Sequence, residues 1–221
     1  MANILVVASH PDDEILGGGA TFAKLADAGN AVRAVVLSEG ATARYAAGMA
    51  EQLRLAAEAS AAAIGFASLD FLNLPDQRLD HLPLIEITQS IEPIISEYRP
   101  EIVFTHSEVD VNLDHGVVAR AVWTACRPYS APWVNRILAF ETPSSTEWAW
   151  PGASTAFLPQ TFVDVTGTID RKVAAMECYS SELRDYPHPR SIRALRERAA
   201  TWGSKIGVPF AEPFVLLRER L

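Results

Sequence analysis

The stretch Ile4-Leu5-Val6-Val7-Ala8-Ser9-His10-Pro11-Asp12-Asp13-Glu14 decides the fold. Five apolar residues, rich in branched side chains, run straight into Ser-His-Pro. That pattern predicts a buried parallel strand ending in a loop. Gly17-Gly18-Gly19 follow, and 18–28 has the composition of a helix. Open α/β sheets bind ligands at the carboxyl ends of their strands. One imidazole and three carboxylates therefore stand where a site is expected. Adjacent carboxylates repel one another unless positive charge lies beside them. A metal ion is the simplest source of that charge. His with Asp suits zinc, or another divalent ion such as Fe2+ or Co2+.

The rest of the chain repeats the pattern. Strands are expected at Ala31–Leu37, Leu69–Leu72, Ile102–Thr105 and Ile137–Phe140. Helices are expected over 46–64 (closed by Gly65), from Pro83 to about Tyr98 (stopped by Pro100), and over 115–126. Strands alternating with helices imply right-handed crossovers and an α/β, Rossmann-like, mostly parallel sheet flanked by helices. After residue 142 the alternation lapses. Pro143–Pro159, with Trp148 and Trp150, reads as a long ordered loop whose tryptophans either pack on the scaffold or line a sugar site. A strand at 162–165, helices at 170–181 and from the Ser191 cap to about Ile206, and a short strand at 214–217 complete the chain. No polar linker separates the parts. The expectation is one domain over 1–221, with a Rossmann-like core at 1–142 and a C-terminal loop and helix elaboration at 143–221.

Composition narrows the function. Of 221 residues 49% are apolar, enough for a sizeable core, and 27 acidic residues against 19 Lys and Arg give a net charge of −8. Without a basic cluster, nucleic acid and anionic membranes are poor partners. No stretch is long enough to span a bilayer, and the first apolar run is too short for a signal peptide. Cys126 and Cys178 are far apart and fit core thiols in a reducing, cytoplasmic setting. Gly17–Gly19 is not the GxGxxG fingerprint of a dinucleotide site.

The fourth strand should deliver Thr105-His106, Asp110, Asn112 and Asp114-His115 to the same sheet edge as His10. A mononuclear hydrolytic centre needs about three protein ligands and one open position. His10, Asp13 and His115 are assigned as ligands, with Asp12 aimed at the water the metal activates, as general base. Glu14 and Asp110 fall around the ligands. Asp114 either caps the following helix or orients a ligand histidine. His106 has three readings: a partner of a ligand, a substrate contact, or a buried hydrogen-bonded histidine.

These residues carry a family resemblance. Ala8-Ser9-His10-Pro11-Asp12-Asp13-Glu14 with Asn112-Leu113-Asp114-His115 resembles the PIG-L/LmbE-like metal-dependent de-N-acetylases. Leu37-Ser38-Glu39-Gly40, Leu74-Pro75-Asp76 and Ala211-Glu212-Pro213-Phe214 extend the likeness over almost the whole chain. Thr142–Trp148 and Pro187-His188-Pro189-Arg190-Ser191 resemble a bacterial branch that accompanies sugar pathways. The resemblance implies zinc on His10, Asp13 and His115, Asp12 as base, and hydrolysis of the N-acetyl group of an N-acetylglucosamine-type sugar. It also implies that Arg54 and Asp76 contact sugar hydroxyls, and that the protein is a homo-oligomer. Many members carry a histidine where Asn112 stands. Either the Asn112 amide takes the electrostatic half of that role or another histidine supplies the acid. His188 is the candidate, in its own or a neighbouring subunit, against the plainer reading of a surface loop residue. Two alternatives remain: an amidase acting on a mycothiol-like or bacillithiol-like conjugate, and a catalytically silent sugar-binding protein.

Overall fold

Alternate residues of the first strand face opposite sides, and both sides are apolar, so the strand must be covered on both. The structure, a computed structural model, bears this out and describes residues 1–43, 48–152 and 156–220. In β1 (Asn3–Ala8), Ile4 and Val6 enter one buried cluster while Leu5 and Val7 enter another. Parallel strands β2 (Ala31–Ser38), β3 (Ser68–Leu74), β4 (Ile102–His106) and β5 (Arg136–Phe140) join it. The seven-stranded sheet has the order β3-β2-β1-β4-β5-β7-β6, where β6 is Thr161–Asp164 and β7 is Ala211–Glu219. The last two strands run antiparallel to their neighbours.

Helices α1 (Asp13–Asp27), α2 (Met49–Ile64), α5 (Ile169–Cys178) and α6 (Ile192–Ile206) contribute to the first cluster. Helices α3 (Leu84–Tyr98) and α4 (Leu113–Ala125) cover the other face. Among the described residues no helix is long and apolar enough to cross a membrane.

Several boundaries differ from expectation. The first helix begins at Asp13 and not near Gly18, because the turn at Pro11-Asp12 already starts it. The final strand is nine residues long and is held between β5 and β6. The start expected for α2 at Ala46 lies outside the described residues, and the described helix opens at Met49.

Helix α1 is broken at Gly18, where the backbone leaves helical values. The groups this frees are satisfied from far along the chain. Lys172 Nζ donates to Leu16 O at 2.9 Å, and Glu212 accepts from the amides of Ala20 and Thr21 at 3.3 and 2.7 Å. Lys172 and Glu212 pair with each other at 2.6 Å, both buried. Gly17 is required for a separate reason: a Cβ there would stand 2.3 Å from the Phe140 ring.

Candidate metal centre and cleft

The carboxyl ends of β1 and β4 meet in a cavity of about 700 Å3. The loop after β1 places His10, Asp12 and Asp13 there, and the start of α4 places Asp114 and His115. Asp12 holds φ of 101°, a left-handed conformation unusual for a non-glycine residue and one that clusters at functional sites.

Asp13 Oδ2 is the focus. His10 Nδ1 lies 3.2 Å from it and His115 Nε2 lies 3.3 Å from it. One donor atom from each of the three residues falls within 4.8 Å of the others. Around a tetrahedral ion with bonds of about 2.0–2.1 Å, neighbouring donors stand about 3.3–3.4 Å apart, close to the spacing both imidazoles keep from Asp13 Oδ2. The far nitrogens fit as well. His10 Nε2 faces Asp114 Oδ2 at 3.1 Å, which leaves the Nδ1 lone pair toward Asp13. His115 Nδ1 faces Asp110 Oδ2 at 3.1 Å, though off the line of a hydrogen bond. Metal-ligating imidazoles carry carboxylate partners of this kind.

The electrostatics agree. Burial disfavours charge on His10, yet Asp114 and Asp13 raise its pKa to about 10; burial is likewise outweighed at His115, where Asp13 and Asp110 raise it to about 9. Burial also opposes ionisation of Asp13, but His115, together with the His10 contact, holds its carboxyl well below the usual range. A pocket that holds imidazoles protonated has surplus negative charge, which a divalent cation neutralises as it displaces those protons.

The base candidate differs. Burial, with Asp13 beside it, pushes the Asp12 carboxyl well above the usual range, against the pull of Arg190. Glu14 supports it from beneath: its Oε2 accepts from the Asp12 amide at 3.1 Å and its Oε1 accepts from the Tyr179 hydroxyl at 2.5 Å. Burial raises Glu14 to about 7.

The remaining expected residues separate into two groups. Asp76 lines the cavity with Oδ1 3.4 Å from His10 Nε2. Asp114 orients His10, while the cap of α4 is Asn112, whose Oδ1 accepts from the Asp114 amide at 3.1 Å. Asp110 is held by Ser145, by Thr146 Oγ1 at 2.7 Å and by the Asn112 amide at 2.8 Å. Three are not brought to the cavity. His106 is fully buried behind Asp13; its Nε2 accepts from the Ser9 amide at 2.9 Å, which makes it a neutral core histidine and not a substrate contact. Burial, then His115, lowers its pKa accordingly. Arg54 lies over the Phe71 ring and donates to Asn73 Oδ1, in a separate small pocket across Pro11. His188 does not line the cavity; its Nδ1 accepts from the Arg190 amide at 3.1 Å and its ring stands edge-on to Trp148.

Sequence reasoning missed Arg190, Glu182 and Gln77, all of which line the cavity. Gln77 Nε2 sits 3.2 Å from His10 Nε2. Arg190 lay in a quoted block, but nothing in one sequence signals that it meets Asp12. Trp148, of undecided role, proves to be half-exposed on the cavity wall.

Comparison with known proteins follows from this geometry. Residues 5–126 match the family described as PIG-L, GlcNAc-PI de-N-acetylase. The chain is 34% identical over 167 residues to an uncharacterized deacetylase, YaiS, of Escherichia coli (strain K12), covering 73% of this chain and 81% of that one. The fold is shared with an N,N'-diacetylchitobiose deacetylase of Pyrococcus horikoshii (TM-score 0.80, 22% identity, 98% and 84% of the two chains). It is shared equally with a 4-carboxy-2-hydroxymuconate hydratase of Pseudomonas putida KT2440 (TM-score 0.79, 23% identity, 100% and 98%). At those identities the likeness establishes architecture, and two different reactions on one architecture leave the chemistry to the site.

Proposed function

Because the chain belongs to the PIG-L family of GlcNAc-PI de-N-acetylases and is a hydrolytic de-N-acetylase, we propose that it frees the amine of an N-acetylated amino sugar or sugar conjugate, using zinc held by His10, Asp13 and His115. The observation that carries this reading is the convergence of two carboxylate-backed imidazoles on Asp13 Oδ2 beside an independently held carboxylate, Asp12. When bound, the ion polarises the acetamide carbonyl and acidifies water.

The chain's own residues do the rest. Asp12 takes a proton from the attacking water; hydroxide adds to the carbonyl carbon. The Asn112 side-chain amide, its oxygen fixed by the cap, has its N–H groups left to donate to the carbonyl oxygen. Asp12 then passes its proton to the sugar nitrogen as the C–N bond breaks, giving acetate and a free amine. Burial, which raises its proton affinity, suits Asp12 to both halves of this transfer. Trp148 offers an apolar face to a sugar ring at the mouth.

The test is metal analysis followed by assays of acetate and amine release from N-acetylglucosamine and N,N'-diacetylchitobiose. Release that stops with a chelator and returns with zinc is expected. A metal-loaded protein that frees no amine from any acetylated amino sugar would overturn the reading.

A further inference from the structure

We propose that Arg190 is the positioning residue of the Asp12 base, with Glu182 as the anchor of its guanidinium. The inference rests on the function proposed above. Arg190 Nη1 stands 3.3 Å from Asp12 Oδ2 and 2.9 Å from Glu182 Oε2. Both carboxylates are buried, and all three residues line the cavity. Arg190 Nε is buried with no hydrogen-bond partner, so the guanidinium is placed for what Nη1 reaches and not for its own full satisfaction.

The contact fixes one oxygen of the base. With Oδ2 held by Arg190 and the Asp12 amide held by Glu14 Oε2, Oδ1 is the carboxylate oxygen left to take a proton. Asp12 sits in an unusual left-handed conformation among neighbouring carboxylates, so its side chain needs an external hold.

That hold is itself braced. The Arg190 amide is tied to His188, and Ser191, the next residue, caps α6 by accepting from the Ala194 amide at 3.1 Å. Helix α6 is fastened in turn to the end of β5: Arg198 makes two bonds of 2.7 Å to Glu141, and Trp202 Nε1 makes a third of the same length. The Tyr186-Pro187-His188-Pro189 segment thus presents Arg190 from a rigid support, which is what catalytic alignment requires.

The experiment compares R190A, R190K, E182Q and the R190A/E182Q double variant with the wild type, each checked for zinc content and cooperative melting. R190A should lose roughly 10²-fold in kcat, with KM within about threefold and zinc retained. R190K should recover part of the loss, because an ammonium can bridge the same two oxygens. Added guanidinium should restore turnover to R190A and leave the wild type unchanged. E182Q should cost less, and the double variant should be no worse than R190A. In a crystal structure of R190A the Asp12 carboxylate should have left its wild-type position. An unchanged kcat, a rise in KM alone, or an Asp12 carboxylate unmoved in R190A would each overturn the assignment. If the wild type releases no acetate, the proposed function fails, while the R190A crystal structure still decides whether Arg190 holds Asp12.

Discussion

The two walls of the cleft are built in opposite ways. One wall is the ends of the parallel strands β1 and β4, with the proposed ligands and their carboxylate partners drawn from residues 10–14 and 110–115. The other is drawn from residues 142–190, beyond the parallel part of the sheet, and faces the cleft with Glu182, Arg190 and Trp148. The first wall is a cluster of acids and imidazoles, the proposed seat of the ion. The second is cross-linked by ion pairs, Arg190–Glu182 at the cleft and Arg198–Glu141 behind it, and through Arg190 it contacts Asp12, the proposed base. On the proposed roles, the division separates keeping the metal from using it.

The strongest way to break that comparison is His115→Ala. It removes a ligand, so zinc should be lost and turnover should fall to background; retained zinc, measured by elemental analysis, would remove His115 from the ligand set. Asp12→Ala should do the reverse, keeping zinc and losing roughly 10²–10⁴-fold in kcat. Loss of metal in that variant would merge the two walls into one. Lys172→Ala tests the bracing of α1, the helix that opens at Asp13 in the first wall. It strands Glu212 as a buried unpaired charge, at a cost of roughly 3–5 kcal/mol read from urea unfolding. The smallest effect concerns thiols. Cys126 lies in the core under the first wall, where burial pushes its thiol up to about 12, whereas Cys178 on α5 is partly exposed. A thiol reagent near pH 8 should label Cys178 alone until the protein unfolds.

The first wall was legible in the sequence for a physical reason. Its proposed ligands lie in two short segments, each following an apolar strand, and parallel neighbours must deliver their ends to one edge. Even there, resolution stopped at the histidines. His106 and His115 are stacked with ring centroids 4.0 Å apart, yet one accepts from the Ser9 amide and the other faces Asp13 and Asp110. Only the backbone path tells them apart. The second wall was not legible, since Asp12 and Arg190 are separated by most of the chain and meet through α6, whose seat on Glu141 no local pattern announces. His188 has the proton chemistry of an acid, but within this chain it is Arg190, two positions later, that lines the cavity.

The break in α1 carries a consequence for biogenesis. The first helix follows directly on the metal-binding loop, yet its loose backbone groups are closed by Lys172 and Glu212. A ribosome that has released residues 1–142 has already exposed every proposed ligand, but not the side chains that mend the helix carrying one of them. On the proposed ligand set, metal loading is expected to be a late event in the life of a nascent chain. Arrested chains of increasing length should begin to retain zinc only once residue 212 has left the exit tunnel.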